Sequence, residues 1–258
     1  MFMEERQQEI LRLIEENGKI TVAQITEAYG ISDESARRDL RILEQQGLCK
    51  RTHGGAIRPQ PVGQHYTHYR EFDGMPVFPT YREIAKIAAG HIKENDVVYL
   101  TGGSFGHIIL PYLSRDLRYT LVVNSVDLAK ALKPLENADV FVAGGKMRPS
   151  GSMVGSLTQE FFSRIHFDLC LLTGAGLTAE FGLSNGTDET AACQRTILHN
   201  SRRKLLLLPG VKVGTDSFIK VCDAEEFDTV ITDWDCLEEH IAALEEKGIT
   251  VLVAEEAL

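Results

Sequence analysis

The segment that most restricts how this chain can fold runs from Gly30 to Gly47, Gly-Ile-Ser-Asp-Glu-Ser-Ala-Arg-Arg-Asp-Leu-Arg-Ile-Leu-Glu-Gln-Gln-Gly. It reads as a helix with its own start and stop. Ser32 can cap the first turn through the amide of Glu34 or Ser35, and Gly47 supplies the left-handed residue that ends it. At about 100° per residue, Ala36, Leu40 and Leu43 share one narrow stripe, and Arg37, Arg38 and Arg41 cluster almost opposite. One face belongs to a core and the other is cationic. A guanidinium cluster on a short capped helix suits the major groove of DNA, which admits a helix and offers guanine edges and phosphates to Arg. The competing reading is a solvated helix face.

The neighbours favour the first reading. Thr21 is an N-cap candidate for a short helix whose Val22, Ile25 and Ala28 share a face, and Tyr29-Gly30-Ile31 makes the turn into the cationic helix. Helix, glycine-containing turn, helix is a DNA-reading unit. An amphipathic helix from Glu4 to Glu16 precedes it, with Ile10, Leu11 and Ile14 inward, ended by Asn17-Gly18. After Gly47, Leu48 to Ile57 reads as two short strands about a Gly-Gly turn, a basic hairpin able to lie along a phosphate backbone. The spacing therefore predicts a winged helix-turn-helix over residues 1–58. Its candidate DNA contacts are Ser32, Ser35, Arg37, Arg38, Arg41, Lys50, Arg51 and His53.

A formal net charge of -10 looks wrong for a DNA-binding chain until it is apportioned. Between Arg37 and Arg58 six cations stand against two acids, so the surplus of acid lies elsewhere. DNA affinity follows local placement of Lys and Arg, through counterion release at each neutralised phosphate. The five cysteines are odd in number, with no paired spacing for a metal or a redox pair. They are expected to be reduced thiols. With no leader sequence and no apolar run of membrane-spanning length, a cytoplasmic chain without membrane contact is expected.

From Arg58 to Thr80 apolar periodicity is lost among Pro59, Pro61, Gly63, Gly74, Pro76 and Pro79, so residues 59–80 are expected to be a linker. His65, Tyr66, His68 and Tyr69 fall within it at a spacing that fits no closed metal site. The remaining 81–258 alternates apolar strands (Val97 to Leu100, Thr120 to Val123, Val140 to Ala143, Leu169 to Leu172, Leu205 to Leu208, Val230 to Thr232, Val251 to Val253) with helical segments. Such a pattern predicts an α/β fold with a mostly parallel sheet covered on both faces by helices.

In such sheets a ligand sits beyond the carboxyl ends of the strands. Those ends here carry Thr101-Gly102-Gly103-Ser104-Phe105-Gly106, Asn124-Ser125, Gly144-Gly145-Lys146 leading on to Gly155, Thr173 to Thr178, and Pro209 to Gly214. Small residues, hydroxyls and one or two lysines converging there describe a pocket for a small phosphorylated or polyhydroxyl ligand. Any one such loop alone is ordinary turn chemistry. A nicotinamide site fails on spacing, because the glycine after Gly174-Ala175-Gly176 is Gly182, too late for the dinucleotide fingerprint. No cofactor and no metal are expected.

Ser32 through Leu40, with Leu43-Glu44, Gly47, Arg51 and His53-Gly54-Gly55-Ala56, resembles the signature of the DeoR family of bacterial transcriptional regulators. The family's usual Thr-Ile before the paired arginines is Ser35-Ala36 here. The later segments resemble the family's effector domain, related in fold to sugar-phosphate isomerases. The resemblance implies a sugar-phosphate effector held by the strand-end loops. The candidate residues are Thr101, Gly102, Gly103, Ser104, Asn124, Ser125, Gly144, Gly145 and Lys212. There are departures: the family's acidic residue in the first loop is Thr101 and its second Thr is Phe105, and Pro209 and Val211 replace the Asp and Ser before the lysine. Loss of that carboxylate removes an acceptor for sugar hydroxyls and a candidate acid or base.

The expected function is a DNA-binding regulator of carbohydrate-metabolism genes, a repressor controlled by a phosphorylated sugar. Two reading helices one helical turn apart, ~34 Å, require at least a dimer, so a homodimer or homotetramer on double-stranded operator DNA is expected. An alternative is a sugar-phosphate isomerase-like enzyme with a DNA-binding appendage. It would need a positioned acid or base, for which Asp168, Asp188, Glu189 and Lys212 are available. Interconversion of aldose and ketose phosphates would mark it. A third reading is a regulator that answers to a protein partner, marked by the absence of any melting shift with sugar phosphates.

Overall fold

The computed structural model describes residues 3–58 and 79–256. They divide into two compact units, an amino-terminal one that also takes in Asp235–Leu237, and a carboxy-terminal one. The expected linker of 59–80, with His65, Tyr66, His68 and Tyr69, lies outside the described residues except for Pro79 and Thr80. Those two open a helix. Proline suits a first helical turn, where an amide has no partner to lose.

The amino-terminal unit runs α1 (Met3–Asn17), β1 (Lys19–Thr21), α2 (Val22–Tyr29), α3 (Asp33–Gln45), β2 (Lys50–Thr52) and β3 (Gly55–Ile57). Each helix ends where local chemistry stops it. Thr21 and Gln24 form a reciprocal capping box, the Gln24 amide donating to Thr21 Oγ1 at 3.2 Å and the Thr21 amide to Gln24 Oε1 at 2.8 Å. Together such caps stabilise a helix by about 1 kcal/mol. Gly30 closes α2 in the left-handed region at φ 62°. Gly47, at φ 71°, ends α3: its amide donates to Glu44 O at 2.8 Å and the Leu48 amide to Leu43 O at 2.9 Å, the paired bonds of a Schellman motif. Ile10, Ile14, Ile25, Ala36, Leu40 and Leu43 pack into one small core.

The wing differs from expectation in two respects. Its turn is His53-Gly54, and Gly55 already belongs to β3, opposite Thr52. A third strand, β1, pairs antiparallel with β3, giving the order β1-β3-β2. Gly55 explains both. A Cβ there would stand 2.0 Å from Ile20 O, so only glycine lets β3 approach β1 this closely.

The carboxy-terminal unit begins with α4 (Pro79–Ala89), β4 (Val97–Leu100), α5 (Ser104–Ile108), β5 (Tyr119–Val123), α6 (Val126–Leu132) and β6 (Ala138–Val142). A short hairpin, β7 (Lys146–Met147) and β8 (Met153–Val154), leads into α7 (Ser156–Ser163) and β9 (Phe167–Leu172). Then come β10 (Gly176–Thr178), β11 (Gly182–Asn185), α8 (Asp188–His199), β12 (Ser201–Leu207), β13 (Ile219–Cys222), β14 (Thr229–Asp233), α9 (Glu238–Glu245) and β15 (Thr250–Ala254).

Seven strands form one parallel sheet in the order β15-β14-β12-β9-β4-β5-β6. Alternation along the strands divides the core. Val98, Leu100, Leu121, Val123, Leu169, Leu171, Leu205 and Leu207 pack with α4, α5 and α6. The other face carries Tyr99, whose ring meets Phe162 of α7 edge-on at 5.4 Å. The chain moves outward from β4 to β5 and β6, then returns to β9 on the other side of β4. The crevice at the ends of β4 and β9 is therefore a topological switch point, where such sheets hold ligands. The β10-β11-β13 sheet and the β7-β8 hairpin were not legible as strands, because two to four residues are too few to display an alternation.

Candidate functional site

In α3 the periodicity becomes a division of chemistry. Ala36, Leu40 and Leu43 are buried with Asp39, and Arg37, Arg38 and Arg41 are exposed. Asp39, only 1% exposed, accepts from Arg6 Nε at 2.7 Å and Gln7 Nε2 at 3.2 Å, so a buried carboxylate ties α1 to α3. The sequence placed Asp39 in a motif without giving it this role. Ser32 caps α3, accepting from the Ser35 amide at 3.3 Å and donating to Ser35 Oγ at 3.1 Å. Both serines stand at the amino end of the cationic face. Arg37 Nη1 donates to His53 O at 3.2 Å, which brings the wing turn beside the helix.

Arg51 departs from its expected place on an open basic hairpin. It is 8% exposed, its amide donates to Glu44 Oε1 at 2.7 Å, and its guanidinium stands 3.7 Å from Glu44. The inward phase of a three-residue strand turns it against α3, where Glu44 compensates the charge. Lys50 is half-buried beside it, and His53 is exposed in the turn.

The carboxy-terminal unit holds a cavity of about 520 Å³ at the switch point. Of the residues expected there, Thr101, Gly102, Gly103, Ser104, Asn124 and Lys212 line it. A Cβ at Gly102 would stand 2.9 Å from Ser125 Cβ, so glycine lets the first loop pass the end of β5. Phe105, the departure from the family pattern, is buried and stacks on Tyr81 at 5.0 Å. It turns one wall of the cavity aromatic.

Three expected residues take other work. Ser125 is buried and caps α6, accepting from the Leu128 amide at 3.3 Å. Gly144 O accepts from Thr158 Oγ1 at 2.8 Å, and a Cβ on Gly145 would lie 2.0 Å from that hydroxyl. These glycines seat α7 and stand apart from the cavity lining. Asn124 lines the cavity, but its amide accepts from Tyr99 Oη at 3.1 Å and donates to Met153 O at 2.8 Å, holding β5 to β8.

The sequence did not single out Arg148, Asn185, Thr187 and Gln194, which line the cavity with Thr190 of the family-like Glu189-Thr190-Ala191. Arg148 Nη1 donates to Thr187 Oγ1 at 3.1 Å and to Thr190 Oγ1 at 2.9 Å. Gln194 Nε2 donates to Thr173 O at 2.8 Å and its carbonyl accepts from Asn185. Lys212 Nζ lies 3.5 Å from Gly174 O. Cys193 completes the wall, its thiol pushed up by burial. Among the described residues lining the cavity two are cationic, Arg148 and Lys212, and none is Asp or Glu. A signal for Arg148 lay in the Gly144 to Gly155 segment, but nothing local says which of its residues turn inward.

Comparison with known proteins adds family evidence. A family model described as the DeoR C terminal sensor domain matches residues 80–234, and one described as the DeoR-like helix-turn-helix domain matches residues 6–62. The chain is similar to the HTH-type transcriptional regulator GolR of Listeria innocua, 28% identical over 259 residues, covering 99% of this chain and 100% of that protein. It is similar to the HTH-type transcriptional repressor GlcR of Bacillus subtilis, 28% identical, covering 99% of this chain and 98% of that one. It is also similar to the glycerol-3-phosphate regulon repressor of Haemophilus influenzae, 25% identical, covering 88% of each chain.

Proposed function

We propose, because this chain belongs to the DeoR family of transcriptional regulators, that it is a repressor of carbohydrate-metabolism genes whose hold on operator DNA changes when a phosphorylated sugar fills the carboxy-terminal cavity. The carrying observation is α3, with its apolar face and Asp39 buried and Arg37, Arg38 and Arg41 turned outward. Ser32 and Ser35 at its start contact phosphates, the arginines reach base edges and phosphates, and Lys50 and His53 of the wing follow the backbone. Two copies on a pseudo-palindromic site fit a homodimer or homotetramer.

The cavity supports the second half of the reading. Glycines of the first loop, the hydroxyls of Thr101, Ser104, Thr187 and Thr190, and the cations Arg148 and Lys212 suit an anionic, polyhydroxylated ligand. Of the four candidate acids and bases, Lys212 lines the cavity and Asp168, Asp188 and Glu189 do not, so among the described lining residues no carboxylate stands with the lysine for proton transfer, which favours a sensor over an isomerase. Relatives named as regulators and repressors support the same choice. The chain works in the cytoplasm, where its DNA is. Among the described residues no helix is long and apolar enough to cross a membrane.

A ligand changes operator affinity only by binding the DNA-competent and DNA-incompetent states unequally. The test is selection of binding sites from a random duplex pool with the full chain, followed by gel shift with and without glucose 6-phosphate and fructose 6-phosphate. A selected sequence whose shift a sugar phosphate alters is the expected result. Enrichment of no sequence would overturn the reading.

A further inference from the structure

The two cations among the described lining residues belong to different walls. Arg148 follows β7, and its amide donates to Ser152 O at 2.9 Å. Ser152 in turn bridges to Ser125 at the end of β5. Lys212 lies on the turn after β12, with its ammonium beside Gly174 at the end of β9. β5 and β9 flank β4 on opposite sides, so these two strand ends are two strand spacings apart, about 10 Å. Helix α8 gives a matching measure. Its first turn, at Thr187 and Thr190, receives the Arg148 guanidinium, and Gln194, which bonds the end of β9 at Thr173, lies one to two turns further on, about 6–10 Å.

The Gly102-Gly103-Ser104 loop follows β4, the strand between β5 and β9, and with Asn185 and Gln194 also lines the cavity. Arg148 uses one Nη on the two threonines, and a guanidinium has further donors in a fixed fork that matches a phosphate or a carboxylate. Among the described residues the lining carries Arg148 and Lys212 and no Asp or Glu, in a chain of net charge -10, which suits a ligand with negative groups. We infer that the cavity has two anion subsites, one at Arg148 with Thr187 and Thr190 and one at Lys212. Its ligand is then a phosphorylated sugar with a second acidic group at the far end of its carbon chain, a sugar bisphosphate or a phosphorylated sugar acid.

This inference rests on the sugar-phosphate reading above and goes one step further. It is tested by calorimetric titration of the full chain with two matched pairs, fructose 6-phosphate against fructose 1,6-bisphosphate, and glucose 6-phosphate against 6-phosphogluconate. The member of at least one pair that carries a second anionic group should bind about ten- to a hundredfold more tightly, the factor that one charge-assisted contact carries. Arg148→Met and Lys212→Met should each bring that ligand down to the affinity of its monophosphate partner. The comparison of ligands on the unmodified chain stands even if a variant fails to fold. Equal or tighter binding of the monophosphate in both pairs would overturn the two-subsite inference and leave the sugar-phosphate reading intact. No binding of any of the four would overturn both.

Discussion

Arg6 Nε donates to Asp39 Oδ2 at 2.7 Å, and this one ion pair fixes the helix that opens the chain to the helix that carries the arginines. Asp39 is buried among apolar neighbours, with Gln7 supplying a further donor. Replacing it leaves a half-buried guanidinium with no carboxylate. Asp39→Ala should lower the stability of the amino-terminal unit by about 2–4 kcal/mol. Ligand titration of the cavity should be unaffected. A melting curve indistinguishable from the parent chain would dissolve this account of the bundle.

Arg38 and Arg51 should separate affinity from stability. Arg38 is exposed on α3, and Arg38→Ala should weaken operator binding by about 1–3 kcal/mol with little change in melting. Arg51 is buried against Glu44, and Arg51→Ala should cost about 1–3 kcal/mol of folding free energy. Gel shift and denaturant titration on both variants check the split, and the reverse pattern would contradict it.

Gly55→Ala tests the wing. The added methyl would meet Ile20 O at 2.0 Å, and the backbone there cannot step aside as a flexible side chain can. Forced overpacking of this kind costs about 1–3 kcal/mol, and the detachment of β3 from β1 should also reduce operator affinity. An alanine variant as stable as its parent would show that the strands do not approach as described.

The thiols give a pH-dependent prediction. Burial pushes Cys49, Cys170 and Cys222 each up to about 12. The thiolate is the reactive form, so near pH 8 almost none is present in the folded chain. Iodoacetamide at pH 8 should leave these three largely unlabelled in the native protein and label them once it is unfolded in urea, as read by peptide mass spectrometry. Rapid labelling of Cys170 under native conditions would refute its burial.

The periodicity of α3, its caps at Ser32 and Gly47, and the alternation of apolar strands with helices were readable directly, because they depend on residues a few places apart. The same local rules explain why the glycine-bearing loops could be placed at the strand ends. They could not say that Arg51 turns inward to Glu44, since a three-residue strand has no phase of its own until β3 and α3 fix it. Nor could they separate Gly102, which lines the cavity, from Gly145, which seats Thr158.

What the chain's order of residues determined alone was which segments would become helices and strands, and that a cationic helix would precede a parallel sheet. The tertiary structure decided which side chains share the cavity. Tyr81, Arg148, Gln194 and Lys212 are far apart along the chain and meet only because the strand order reverses at β4. Hydrogen bonding between strands sets that order, and no window of neighbouring residues contains it.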